Sequence, residues 1–248
     1  MEDSNPHLKS RNLLFYSVEL IAHYLQKYIY KMSENSKFNA AILIIGNEIL
    51  SGRTQDTNTS TLATWLNSLG VKVSEVRVIP DVEETIISSV NLLRKQYTYV
   101  FTSGGIGPTH DDITSESVSK AFELPYERHE EGYKILEAYY KPGEFNDGRQ
   151  KMIWMPKGAK LILNPTSGAP GFYVENVFVL PGVPSILKSM LGGLKNKIVG
   201  GNPIISHTIS LRTFESHIAE SLTSVLSLIH ISEPTRLRRI SYAVFCLK

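Results

Sequence analysis

Thr102-Ser-Gly-Gly-Ile-Gly-Pro-Thr-His-Asp-Asp-Ile-Thr114 holds the densest chemistry in this 248-residue chain. Gly104, Gly105 and Gly107 permit a tight turn that exposes successive backbone N–H groups, and such a turn suits phosphate. Where the turn also opens a helix, the positive end of the helix dipole reinforces it. Asp111 and Asp112 come next, two adjacent carboxylates able to hold a divalent cation against that phosphate or to handle a proton. His110 beside them invites a metal reading. Adjacent residues seldom aim at one ion, however, and no second histidine falls at helical spacing, so a solvent-facing loop histidine is favoured.

A turn of this kind needs a strand before it and a helix behind it. Tyr97 to Phe101 reads as a buried strand and Ser115 to Phe122 as the helix, with Thr114 at its N-cap. The same alternation starts earlier. Ala40 to Ile45 is a continuous apolar run, as expected of a strand covered on both faces. Thr57 to Leu69 places Leu62, Leu66 and Leu69 on one helical face, and Gly70 stands where a C-terminal cap belongs. Val71 to Ile79 alternates as a second strand, and a helix burying Val82, Ile86, Val90 and Leu93 comes after the Pro80-Asp81 turn.

Further on, helices are predicted over Glu130 to Tyr140 and near Arg149. Strands are predicted at Lys160 to Leu163, Gly171 to Val174 and Val177 to Leu180, and a helix from Pro184 to about Lys197. The strand Ile204 to Leu211 and the helix Glu215 to Val225 complete the series. Strand–helix repetition predicts an α/β fold with a mainly parallel sheet and right-handed crossovers. Ligands in such sheets gather beyond the carboxyl ends of the strands. The loop Gly46 to Asp56, the Pro80-Asp81 turn and Ser103 to Asp112 belong to that edge. Trp65 and Trp154 read as packing residues.

The formal charge is +2. Arg236, Arg238, Arg239 and Lys248 against Glu233 contribute +3 of it, so the rest of the chain stands near −1 and no basic surface for nucleic acid is expected. Leu226 to Arg236 resembles an in-frame translation of a sequencing-library adapter. Residues 226–248, with Cys246, the only cysteine, are therefore expected to be a non-native tail. Residues 1–37 read as an N-terminal extension. Its Leu13 to Tyr30 stretch is interrupted by Glu19, His23, Gln26 and Lys27, fits an amphipathic helix and is too polar to span a bilayer. With no disulfide framework and no export signal, a reducing cytoplasm is the expected compartment.

Five motifs in order carry a family likeness: Gly46-Asn-Glu-Ile-Leu-Ser-Gly52, Gln55-Asp-Thr-Asn58, Pro80-Asp81, Thr102 to Thr114 and Leu180-Pro-Gly-Val-Pro184. Together, over residues 38–225, they resemble the molybdopterin-binding (MoaB/Mog) domain, in the branch found at the N-terminus of CinA and in FAD synthases of the eukaryotic type. The resemblance implies a three-layer α/β sandwich with a pocket at the glycine-rich edge, commonly in a homo-oligomer. It implies functional aspartates at Asp112 and Asp81 and a pocket role for Glu48. Ligand contacts are implied for Gly46, Asn47, Asp56, Asn58, Thr102, Ser103, Gly104, Gly105, Gly107, Pro108, Thr109, Pro181 and Gly182. Capping remains the competing reading for Asp56, Asn58 and Asp81.

Activity is left open by the likeness, because fold is not function. The primary expectation is a small phosphorylated ligand, molybdopterin or a nucleotide. The enzymatic alternative is a metal-dependent nucleotide pyrophosphatase acting on ADP-ribose or FAD, with magnesium or a similar divalent cation held by Glu48, Asp111 and Asp112. A further alternative is the front half of a FAD synthase-like enzyme.

Overall fold

Six consecutive apolar residues, Ala40 to Ile45, are each at most 3% exposed because their strand lies in the middle of a sheet with helices on both faces. In the computed structural model this strand is β1 (Asn39–Ile45), with β2 (Lys72–Ile79) parallel on one side and β3 (Tyr99–Ser103) parallel on the other. The structure describes residues 38–201 and, beyond them, the backbone of three further strands.

β3 pairs in parallel with β8 (Val177–Leu180), and β7 (Gly171–Val174) and β6 (Lys160–Ile162) continue the sheet antiparallel. The strand order is β2-β1-β3-β8-β7-β6. Alternate side chains of β1 feed two cores. Ala41, Leu43 and Ile45 join Ile86, Val90 and Leu93 of α3 (Glu83–Gln96) and Val118 of α4 (Thr114–Ala121). Ala40, Ile42 and Ile44 join Leu62 and Leu66 of α2 (Asn58–Ser68) and Leu187, Met190 and Leu194 of α7 (Pro184–Leu194). The result is the α/β fold expected from the strand–helix alternation and the three-layer sandwich that the resemblance implies. Phe101, Phe178 and Tyr173 stack across β3, β8 and β7 with centroid separations of 4.9 and 5.1 Å, and Trp65 meets Phe101 edge-on at 5.9 Å.

Several expectations shift. Tyr97 closes α3, so the strand begins at Tyr99 and extends through Thr102 and Ser103, which move from the turn into the sheet and are buried. Val82 precedes α3 with extended backbone and is 43% exposed, so it is not on the buried face. Thr114 is the first helical residue of α4 rather than its N-cap; Ile113 takes that position. The loop after β1 contains a one-turn helix, α1 (Asn47–Leu50). Two short strands went unforeseen, β4 (Tyr126–Arg128) and β5 (Trp154–Pro156), paired antiparallel. At three residues each they are too short to display a period. Between them lie α5 (Glu130–Tyr139) and α6 (Asp147–Lys151).

The described residues after Ile204 form a separate unit. In it β9 (His207–Leu211) pairs antiparallel with β11 (Ala243–Leu247), which pairs antiparallel with β10 (Glu233–Thr235). The expected helices at Leu13 to Tyr30 and Glu215 to Val225 lie outside the described residues. Among the described residues no helix is long and apolar enough to cross a membrane.

Candidate functional site

Parallel strands end at the same edge, so the loops after β1, β2, β3 and β8 are brought together there. Hydrogen bonds knit the four strand ends. The Gly46 amide donates to the Ile79 carbonyl at 3.1 Å, and the Asn47 amide to Asp81 Oδ2 at 2.8 Å. The Gly104 amide donates to the Leu180 carbonyl at 3.1 Å, and Ser103 Oγ to the Pro181 carbonyl at 3.1 Å. Asn58, at the start of α2, closes the set: its Nδ2 donates to Ser103 Oγ at 2.9 Å and to the Gly182 carbonyl at 2.7 Å. Gly46, Asn47, Asp81, Asn58, Ser103, Gly104, Pro181 and Gly182 are thus assembled at one edge. Glu48 folds back on Gly46, where a Cβ would lie 2.6 Å from Glu48 Oε1.

The glycine turn itself is tight. Gly104 and Gly105 adopt φ of +115° and +68°, a region that favours glycine, and the Thr114 amide donates to the Gly105 carbonyl at 2.9 Å. Gly107 has no positive φ; a Cβ there would lie 2.6 Å from Asp112 Oδ2, so that carboxylate would have to shift to admit one. Among the described residues, the amides of Gly105, Ile106 and Gly107 donate to no acceptor. Three consecutive free N–H groups in a half-buried turn are what an anion needs. The hydroxyls of Thr102 and Thr114 are buried nearby without partners.

The acids divide by role. Asp112 Oδ2 accepts from the Thr109 amide at 2.9 Å and from the Thr109 hydroxyl, so this carboxylate braces the turn from within. Pro108 and Thr109 are exposed. Asp56 Oδ1 accepts from the Asn58 and Thr59 amides at 2.9 and 3.1 Å, which is helix capping, one of its two expected roles. Asp111 is exposed; the nearby Thr109 side chain and, after it, the charges of His110 and Lys151 hold its carboxyl below the usual range. His110 is exposed too.

Burial pushes the Asp81 carboxyl above the usual range, the Asn47 amide opposes the shift, and the charges of Glu48 and Asp111 add to it. A folded-state pKa above the unfolded value means the ionised form is disfavoured in the fold. The associated stability is fully present below the ordinary aspartate pKa and is lost as pH rises through the raised value. Asp81→Asn is therefore expected to keep or raise the thermal midpoint at neutral pH and to flatten its decline through the mildly acidic range. Thermal melts of both proteins across that range would check this; a midpoint that falls at neutral pH in the variant contradicts it.

Among the described residues no three His, Cys, Asp or Glu side chains form a group that could hold a metal ion. Glu48, Asp111 and Asp112 are accordingly not a preassembled cation site. Two features escaped the sequence reading: the clasp made by Asn58 across three segments, and Lys151 of α6, whose Nζ donates to the Thr109 carbonyl. Both involve partners far apart in the chain, for which spacing carries no signal.

Four parallel strand ends meeting at a glycine turn with free amides define a doubly covered α/β domain with its candidate site at the carboxyl edge of the sheet. Residues 41–200 match the family described as "Probable molybdopterin binding domain", and the chain belongs to that family. A protein of Archaeoglobus fulgidus is 32% identical over 185 residues, 75% of this chain and 79% of the relative. One from Sulfurisphaera tokodaii is 36% identical over 175 residues, 68% of this chain and 66% of the relative. Among solved structures, the protein CinA with unknown function from Thermoplasma acidophilum aligns with a TM-score of 0.61 and 31% identity, covering 64% of this chain and 96% of that one. The MoaB/Mog-type, CinA-like resemblance read from the five motifs is the family found.

Proposed function

We propose that the glycine-turn edge binds a small phosphorylated ligand, either molybdopterin or a nucleotide, in a reducing cytoplasm. The observation that carries this reading is the run of three unpartnered amides at Gly105, Ile106 and Gly107, set between buried β3 and the start of α4. Backbone amides pointing the same way favour a compact anion whatever it is attached to. Asn58 and Ser103 hold the neighbouring Pro181-Gly182 segment against the turn, so the edge is formed before a ligand arrives. A phosphate fits these residues. A divalent cation does not find three acidic ligands ready, and no hydrolytic step is derived through one.

The pyrophosphatase alternative draws on the mutual repulsion of Glu48, Asp81 and Asp111, which a bound cation would relieve. One set of measurements separates the two readings. The full chain is analysed by mass spectrometry for copurifying phosphorylated compounds, titrated calorimetrically with inorganic pyrophosphate, ADP-ribose and FAD, and then incubated with ADP-ribose or FAD and magnesium. Binding without turnover is the expected result. Release of mononucleotides would favour the enzyme, and absence of any binding would end the phosphate reading.

A further inference from the structure

The cation tied most directly to the glycine turn comes from a segment with no motif. α6 is a short helix capped by Asn146, whose Oδ1 accepts from the Arg149 amide at 3.0 Å. It packs against the turn: a Cβ on Gly148 would lie 3.5 Å from the Pro108 carbonyl oxygen, and Lys151 Nζ donates to the carbonyl of Thr109. Its neighbour Arg149 is engaged elsewhere. That guanidinium lies 4.2 Å over the Tyr140 ring, donates to the Glu144 carbonyl and stands 3.7 Å from the Glu144 carboxylate.

Lys151, by contrast, forms no ion pair among the described residues. A backbone carbonyl occupies one of its three N–H donors and cancels none of its charge. A positive charge with two spare donors is thus pinned at the Thr109 end of a turn whose amides are also free, close enough to Asp111 to help hold that carboxyl below its usual range. The acids at this edge, Glu48, Asp81, Asp111 and Asp112, would repel an incoming anion, and amide dipoles alone offset that poorly. A fixed ammonium supplies the missing attraction, in the manner of a lysine that meets phosphate as a point charge.

We propose that Lys151 is the electrostatic anchor of the ligand edge, contacting the anionic oxygens of a phosphate ester or diphosphate whose other oxygens meet the amides of Gly105 to Gly107. This rests on the phosphate-binding reading above and adds to it a residue and a ligand class: a group with at least two negative charges. α6 and the turn then act as the two sides of one anion site.

The test uses the full chain and inorganic pyrophosphate, titrated calorimetrically. Lys151→Gln is expected to bind about tenfold more weakly than the wild type, and Lys151→Arg to stay within about threefold. Raising KCl from about 0.05 to 0.5 M should weaken the wild type more than Lys151→Gln, because the variant has lost a screened charge. Lys151→Met, which keeps the aliphatic stem, repeats the loss if the glutamine disturbs packing; thermal midpoints within about 2 °C of wild type confirm intact folds. Wild-type affinity retained in both Lys151→Gln and Lys151→Met overturns the anchor while leaving the phosphate reading standing. A wild type that fails to bind pyrophosphate overturns both.

Discussion

Gly104→Ala is expected to destabilise the domain by on the order of 4 kcal/mol, which for a chain of this size lowers the thermal midpoint by about 8 to 16 °C. Two independent costs add. The backbone at Gly104 sits at φ +115°, where an L side chain is strained, and a Cβ there would meet the Ile45 carbonyl oxygen at 2.1 Å. Neither neighbour can yield. Ile45 ends β1 in the centre of the sheet, and the Gly104 amide is held by the Leu180 carbonyl at 3.1 Å. Gly143→Ala provides the control, since its φ is +86° but nothing lies within 4 Å of the added Cβ. It should cost only about 1 kcal/mol, the strain without the collision. Equal losses in the two variants, measured by thermal or denaturant unfolding, would refute the close approach of β1 and the turn.

Asn58→Asp comes next, at about 3 kcal/mol, with Asn58→Ala at about 2 kcal/mol. Asn58 is 6% exposed and uses both amide hydrogens, one to Ser103 Oγ and one to the Gly182 carbonyl. Alanine leaves those acceptors short of a donor. Ionised aspartate does the same and sets a buried negative charge against two oxygens, so the isosteric change is the worse one. The gap between the variants should narrow in acid, where the aspartate takes up a proton and regains one donor. Unfolding of both variants at neutral and acidic pH measures it. An aspartate variant as stable as wild type at neutral pH would show that Nδ2 is not the donor that joins α2, β3 and the loop after β8.

Both predictions fall at the proposed binding edge, where buried polar atoms go unmet. Two successive glycines take left-handed backbone, and four polar side-chain atoms, on Asn58, Thr59, Thr102 and Thr114, are buried without partners. Elsewhere the sheet obeys the pattern, with β1 dividing its side chains cleanly between two apolar cores. Unmet buried polar groups gathered at one end of the sheet support the placement of function there.

Much of this was legible in the chain. The apolar run of β1, the leucine spacing of α2 and the position of Gly70, which adopts φ +71° after that helix, are local signals, because periodicity and cap preference involve neighbours a few residues apart. Alternation of strand and helix then implied parallel pairing, and parallel pairing placed Gly46 to Asp56, Pro80-Asp81 and Ser103 to Asp112 at one edge. Boundaries were less legible where no glycine or proline punctuates the chain. α3 passes into β3 through Tyr97 and Thr98, and the aromatic character of Tyr97 mimics a strand residue although it closes the helix. β4 and β5 exist only because they pair with each other.

Side-chain roles at the edge depended on the tertiary structure. Asp112 turns inward to Thr109, Asp56 spends its carboxylate on the first turn of α2, and Glu48, Asp111 and Asp112 do not form a metal-holding group. Asn58 finds its acceptor 124 residues away and Lys151 finds Thr109 across 42. By itself the sequence determined the layered α/β architecture and the edge at which the glycine turn lies, since both come from local periodicity and the shared direction of parallel strands, and its five motifs carried the family resemblance. Only the folded chain decided which acids face inward, which amides stay free and which cation stands beside them, because a side chain's partner is set by packing between segments that the sequence separates.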